Sequence, residues 1–175
     1  MTNLNRRTVL SVTLAMAIAN VTAADEPTAS SRSLPTVDFL VLFKSSRQLG
    51  LYRSVDDKPV LLHRYSVDLG FSPRGDKNRE GDGRTPEGTY YINRRNENSA
   101  YHLSLGISYP DKKDVAEARA KGVNPGGDIF IHGGPTRFRD RFKRDWTAGC
   151  ISVTDNEIEE IWAMVPLGTP ISIRP

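Results

Sequence analysis

Apolar residues at every second position, Val37, Phe39, Val41 and Phe43, commit this chain early to a half-buried sheet. Side chains alternate sides along a strand, whereas a helix needs a stripe of period 3.6. Lys44 to Arg47 then reads as a turn and Gln48 to Arg53 as a returning strand, which together predict a hairpin. Further brief apolar strands are expected at Val60–Leu69, Thr89–Ile92, Tyr101–Ile107, Ile129–His132, Cys150–Val153 and Ile171–Ile173. Gly81 to Gly88 reads as a loop between two of them, and Asn93 to Gly127 as an insertion around Tyr101 and His102. Asp111 can cap a helix that runs to Lys121 and stops at Gly122; Thr154 with Glu157 forms a capping box for Asp155 to Met164, closed by Pro166. The pattern is a mainly β domain with two or three short helices at its rim.

With 175 residues there is room for one domain with a full core. The first 24 residues have the three parts of a secretory signal: Arg6-Arg7, an apolar stretch from Val9 to Val21, and small residues before Asp25. The apolar stretch is too short and too interrupted for a lasting membrane span. Export is therefore expected, by a Sec or twin-arginine route that the residues leave open, to the periplasm. Residues 25–36, rich in Ser, Thr and Pro, form a flexible leader, and 37–175 the domain. Without Arg6 and Arg7 the 24 Lys and Arg become 22, against 21 Asp and Glu. That balance, without a basic stripe interleaved with aromatics, gives nucleic-acid binding no support.

Cys150 is the lone cysteine, so no internal disulfide can form in a compartment that oxidises thiols. It follows a glycine at the head of a short strand, in Trp146-Thr147-Ala148-Gly149-Cys150-Ile151-Ser152-Val153. Upstream, the strand Ile129–His132 ends in His132-Gly133-Gly134, which sets an imidazole at a loop mouth. A thiol is mostly protonated at neutral pH, and a nearby imidazole can take its proton. From the residues alone three readings stay open: a Cys-His nucleophilic site, a buried inert cysteine beside an unrelated histidine, and a metal site. His63 and His102 lack ligand spacing with each other or with Cys150, so no metal and no cofactor is expected.

These motifs resemble the L,D-transpeptidase catalytic domain, also called the YkuD domain, whose pattern is His-Gly, a spacer and Ser/Thr-x-Gly-Cys. Here the residues are His132-Gly133 and Thr147-Ala148-Gly149-Cys150, with 17 residues between His132 and Cys150, and Thr85-Pro86-Glu87-Gly88 matches the family's Thr-Pro-x-Gly turn. The run Thr147 to Trp162 is most similar to the small YafK-like branch. The resemblance implies a YkuD-like β-sandwich of short mixed strands. It implies Cys150 as nucleophile, His132 as proton acceptor and donor, the Gly133 carbonyl orienting the imidazole, and main-chain N–H groups of Gly149 and Cys150 holding the oxyanion. The implied substrates are peptidoglycan stem peptides containing meso-diaminopimelate, with transfer to an amine. Two alternatives accompany it: hydrolysis, such as release of a murein-linked lipoprotein, and a non-catalytic peptidoglycan-binding domain.

Many members of the family carry His before the Gly and Arg two residues after the Cys, where this chain has Ala148 and Ser152. The missing guanidinium leaves the partner for a substrate carboxylate unassigned. Candidates for substrate contact are Thr147, Arg84, Tyr101, Arg137 and Arg139. The remainder of Arg137 to Trp146 reads as a solvated loop that Phe138, Phe142 and Trp146 anchor to the core.

Overall fold

The computed structural model describes residues 34–175, the side chains of Arg139 and Arg141 excepted. The expected signal segment, and the leader up to residue 33, lie outside the described residues. The strands are β1 (Phe39–Phe43), β2 (Gln48–Val55), β3 (Lys58–Ser66), β4 (Gly88–Ser99), β5 (His102–Ile107), β6 (Phe130–His132), β7 (Ile151–Ser152) and β8 (Pro170–Arg174). They form one mixed sheet in the order β3-β2-β1-β8-β4-β5-β6-β7, in which β1 with β8 and β6 with β7 are parallel. β4 belongs to two ladders: Gly88 to Tyr91 pairs with β8, and from Ile92 onward the strand pairs with β5. Register breaks at Ile92/Arg94 mark the change, as expected where a strand bends between two ladders.

Apolar residues of both ladders join in one buried cluster that includes Leu40, Leu42, Leu49, Leu51, Ile92, Leu105, Ile131, Ile151 and Ile171. The alternation noted at Val37–Phe43 is only partly kept: Leu40, Val41 and Leu42 are all buried, and it is Phe43 that is exposed. A strand between two partners, β2 and β8, can be covered on both faces.

Both helices begin at their expected caps. In α1 (Lys112–Ala120) the Asp111 carboxylate accepts from the N–H groups of Lys113 and Asp114, and Gly122 follows with φ +68°. In α2 (Asp155–Met164) Thr154 and Glu157 close a reciprocal box, and Ile158, Ile161 and Met164 turn into the core. The expected insertion is corrected. Residues 93–107 are the far half of β4 and all of β5, a hairpin whose tip carries Tyr101. The strand expected to reach Leu69 ends at Ser66; the chain then leaves the sheet edge, bridging Asp68 to Ser152 and Gly70 to Thr147. Among the described residues no helix is long and apolar enough to cross a membrane.

Candidate active site

Parallel pairing of β6 and β7 builds the site, with Ile131 opposite Ile151 and His132 opposite Ser152. Cys150 immediately precedes β7 and so stands at the end of the strand that pairs with β6, the strand of His132. The pair duly lines one cavity of about 320 Å³, together with Tyr101, Arg137, Asp140, Lys143, Trp146, Thr147 and Ala148. A second cavity of about 360 Å³ touches Cys150 and Ala148 from elsewhere and is lined by Lys77, Glu80, Asp128 and the Gly126-Gly127 turn. Cys150 is partly buried, at the meeting of the two.

The imidazole is held on three sides. His132 is 3% exposed, and its Nδ1–H donates to the Gly133 carbonyl at 2.7 Å. A carbonyl only accepts, so Nδ1 carries the proton and Nε2 keeps its lone pair. Tyr101 stacks on the ring with centroids 4.5 Å apart, and Trp146 meets it edge-on at 5.6 Å. Burial holds the imidazole below its ordinary basicity, and the Gly133 hydrogen bond only partly offsets this. Asp155, in the first turn of α2, accepts from the Gly134 N–H at 2.8 Å and so fixes the turn that carries the Gly133 carbonyl. A Cβ on Gly133 would lie 2.5 Å from that carboxylate and 3.0 Å from the Tyr101 carbonyl, so a larger residue there would push the Asp155 brace aside.

The sulfur is placed by main chain. The Cys150 thiol donates to the Asp128 carbonyl at 3.5 Å. Burial pushes the thiol up and the Asp128 carboxylate adds to this, while the Phe130 N–H and the Lys77 ammonium act the other way. Both shifts favour the uncharged forms, since burial disfavours the imidazolium and the thiolate alike. Behind the turn, Asp68 and Ser152 exchange N–H···O bonds at 2.9 and 2.8 Å, and the Phe71 N–H donates to the Thr147 carbonyl at 2.9 Å. The loop of residues 76–87 is tied down by Lys44, which donates to the Gly75 and Thr85 carbonyls and pairs with Glu87 at 2.8 Å.

Several expected contacts are rearranged. Thr147 lies in the cavity wall, but its hydroxyl donates to the Cys150 carbonyl at 2.7 Å and accepts from the Gly149 N–H at 3.2 Å. Both the Thr147 hydroxyl and the Gly149 amide thus make hydrogen bonds within the turn itself. Arg84 points away from the thiol: its guanidinium donates to the Asp76 carbonyl at 3.1 Å and lines a different cavity, with Arg79 and Asp82. Its carbonyl instead packs against Gly149. Arg137 is exposed and lines the His132 cavity, and the Arg139 side chain lies outside the described residues. Phe138 and Phe142 do not anchor their loop; at 72% and 79% exposed they stand in solvent, and Trp146 alone of the three packs inward. His63 stacks on Tyr65, and His102 pairs with Glu159 at 2.7 Å.

A mixed β domain that brings a lone thiol and a strand-end imidazole to one cavity defines the class. Comparison with known proteins agrees: the model of the YkuD family, the L,D-transpeptidase catalytic domain, matches residues 38–173. The chain belongs to that family. It is similar to YafK of Escherichia coli K12, 30% identical over 129 residues that make up 73% of this chain and 46% of that protein. It spans about half the length of the curated relatives it matches. Among solved structures, the helical cell shape determining protein Pgp2 of Campylobacter jejuni aligns with a TM-score of 0.64 and 25% identity, over 79% of this chain and 48% of that one. Bd1075 of Bdellovibrio bacteriovorus aligns with a TM-score of 0.59 and 23% identity, over 80% and 51% respectively, and shares the fold.

Proposed function

We propose that this protein is a cysteine-dependent L,D-transpeptidase of the periplasm, exported through its N-terminal segment, that acts on peptidoglycan stem peptides through an acyl-enzyme. The observation that carries the reading is the single cavity lined by Cys150 and a His132 whose Nδ1 is already committed to Gly133. In this reading the Cys150 sulfur attacks the amide carbonyl of the donor stem, on the carboxyl side of its meso-diaminopimelate, as its proton passes to Nε2 of His132. The C–N bond breaks, His132 returns the proton to the departing amine of the terminal D-residue, and a thioester remains on Cys150. An acceptor amine then attacks the thioester, gives its proton to His132, and the thiol is restored. The Cys150 N–H is the amide of the turn that serves the oxyanion, since that of Gly149 is engaged by Thr147. A further feature supports a peptide ligand: Arg137 and Lys143 line the cavity and offer cations to its carboxylates.

Access to Cys150 from a second cavity supports transfer, because a donor in one leaves room for an acceptor in the other. Similarity to a cell shape determining protein is consistent with work on the wall. The test is incubation of the purified protein with disaccharide-tetrapeptide muropeptides and chromatography of the products. Cross-linked dimers are expected from the wild type and none from Cys150→Ala; monomeric tripeptides alone would replace transfer by hydrolysis, and wild-type-like products from Cys150→Ala would end the proposal.

A further inference from the structure

The turn between His132 and Cys150 presents an apolar pair to solvent. Phe138 and Phe142 are the most exposed of the large apolar residues described, at 72% and 79%, and their rings meet edge to face with centroids 5.3 Å apart. Single exposed apolar side chains are ordinary, but a paired and protruding one beside a candidate active site marks a contact surface. Its surroundings are cationic: between positions 137 and 144 the sequence has Arg137, Arg139, Arg141, Lys143 and Arg144 against Asp140 alone. Asp140 lies 3.6 Å from Lys143. Arg137 and Lys143, the chain neighbours of Phe138 and Phe142, also line the His132 and Cys150 cavity, which puts the exposed pair beside it.

We infer that Phe138 and Phe142, with Arg137 and Lys143, form a docking rim for the glycan strand of polymeric peptidoglycan whose stem peptide enters the cavity. The inference rests on the reading that Cys150 works on such stems. A stem is covalently tied to its sugar, so a stem seated in the cavity brings its glycan within a stem's length of Arg137 and Lys143, which line that cavity. Pyranose rings offer faces of C–H bonds that pack on aromatic rings, and stem carboxylates match the cations in charge. A lipid surface fits less well, because the five residues of this 3-10 turn make no amphipathic helix of the kind that lies in a bilayer interface.

The experiment pellets the full chain with purified peptidoglycan sacculi, in a Cys150→Ala background that prevents turnover. Phe138→Ser with Phe142→Ser is expected to lower retention about tenfold, the effect of truncating an aromatic anchor, while Phe138→Trp with Phe142→Trp restores it. A thermal melt confirms that the variants are folded. Retention by the Ser variant equal to that of its parent overturns the rim. So does retention of the parent on vesicles of phosphatidylethanolamine and phosphatidylglycerol that is as strong as on sacculi and falls equally in the Ser variant. The underlying reading is tested apart from this: failure of wild-type protein to convert soluble muropeptides would remove it without altering retention, whereas conversion together with undiminished retention of the Ser variant would remove the rim alone.

Discussion

His132→Ala is expected to lower turnover of a stem tetrapeptide by about 10²- to 10⁴-fold, the contribution of a positioned acid-base group. Release of the terminal D-residue, followed by initial rate, is the measurement. The wild-type rate should fall on the acid side as the imidazole protonates and stops accepting the thiol proton. Burial disfavours the cation, so protonation requires a more acidic solution than the ordinary imidazole value of 6.5, and the acid limb should lie below that pH. The thiol is shifted the opposite way, above its ordinary value of 9.0. Both shifts favour the uncharged pair, so alkylation of Cys150 by uncharged iodoacetamide should still be rising as the pH passes 9.0. An alkylation rate that levels off near neutral pH would mean a thiolate-imidazolium pair instead.

The second large effect is structural. Gly70→Ala is expected to destabilise the fold by about 3 kcal/mol, at the upper end for overpacking, and to lower the melting temperature by roughly 10 °C. A Cβ at this position would lie 2.1 Å from the Gly83 carbonyl oxygen and 3.0 Å from the Gly149 Cα. Both obstacles are backbone, so no side-chain rotation relieves them. Gly70 lies where the segment leaving β3 is clamped between the loop of residues 76–87 and the turn of Cys150, with its N–H donating to the Thr85 hydroxyl at 3.2 Å. Its replacement should therefore displace the turn of Cys150 as well, and activity at temperatures well below the melt should fall with stability. A melting curve that coincides with the wild type would show that the clamp is looser than the distances imply.

What could be read from the sequence was what local chemistry determines. Asp111, Thr154 and Glu157 cap helices through neighbours three residues away, and both helices start where those residues stand. The ordered motifs around His132 and Cys150 pointed to two short strands, and their parallel pairing delivers both side chains to one cavity. What escaped is long-range. The far half of β4 reads as polar, through Asn93 to Asn98, but Arg95 is held by the Val165 and Trp162 carbonyls and lies 3.9 Å over the Trp162 ring. Asp155 looked like an ordinary first-turn acid, yet it braces Gly134, 21 residues earlier in the chain. Arg84 carries a suitable charge for a substrate, but the turn that contains it points its guanidinium to the Asp76 carbonyl. Phe138 and Phe142 looked like anchors because aromatic residues are usually covered, and nothing local indicated that a short 3-10 turn would lift them outward.

Mass spectrometry of the intact protein, quenched in acid during turnover of a tetrapeptide stem, addresses the central chemistry most directly. The account predicts an adduct of the stem less its terminal residue, joined as a thioester to Cys150 and absent from Cys150→Ala. Product formed by Cys150→Ala, or an acyl group mapped to any other side chain, would contradict it.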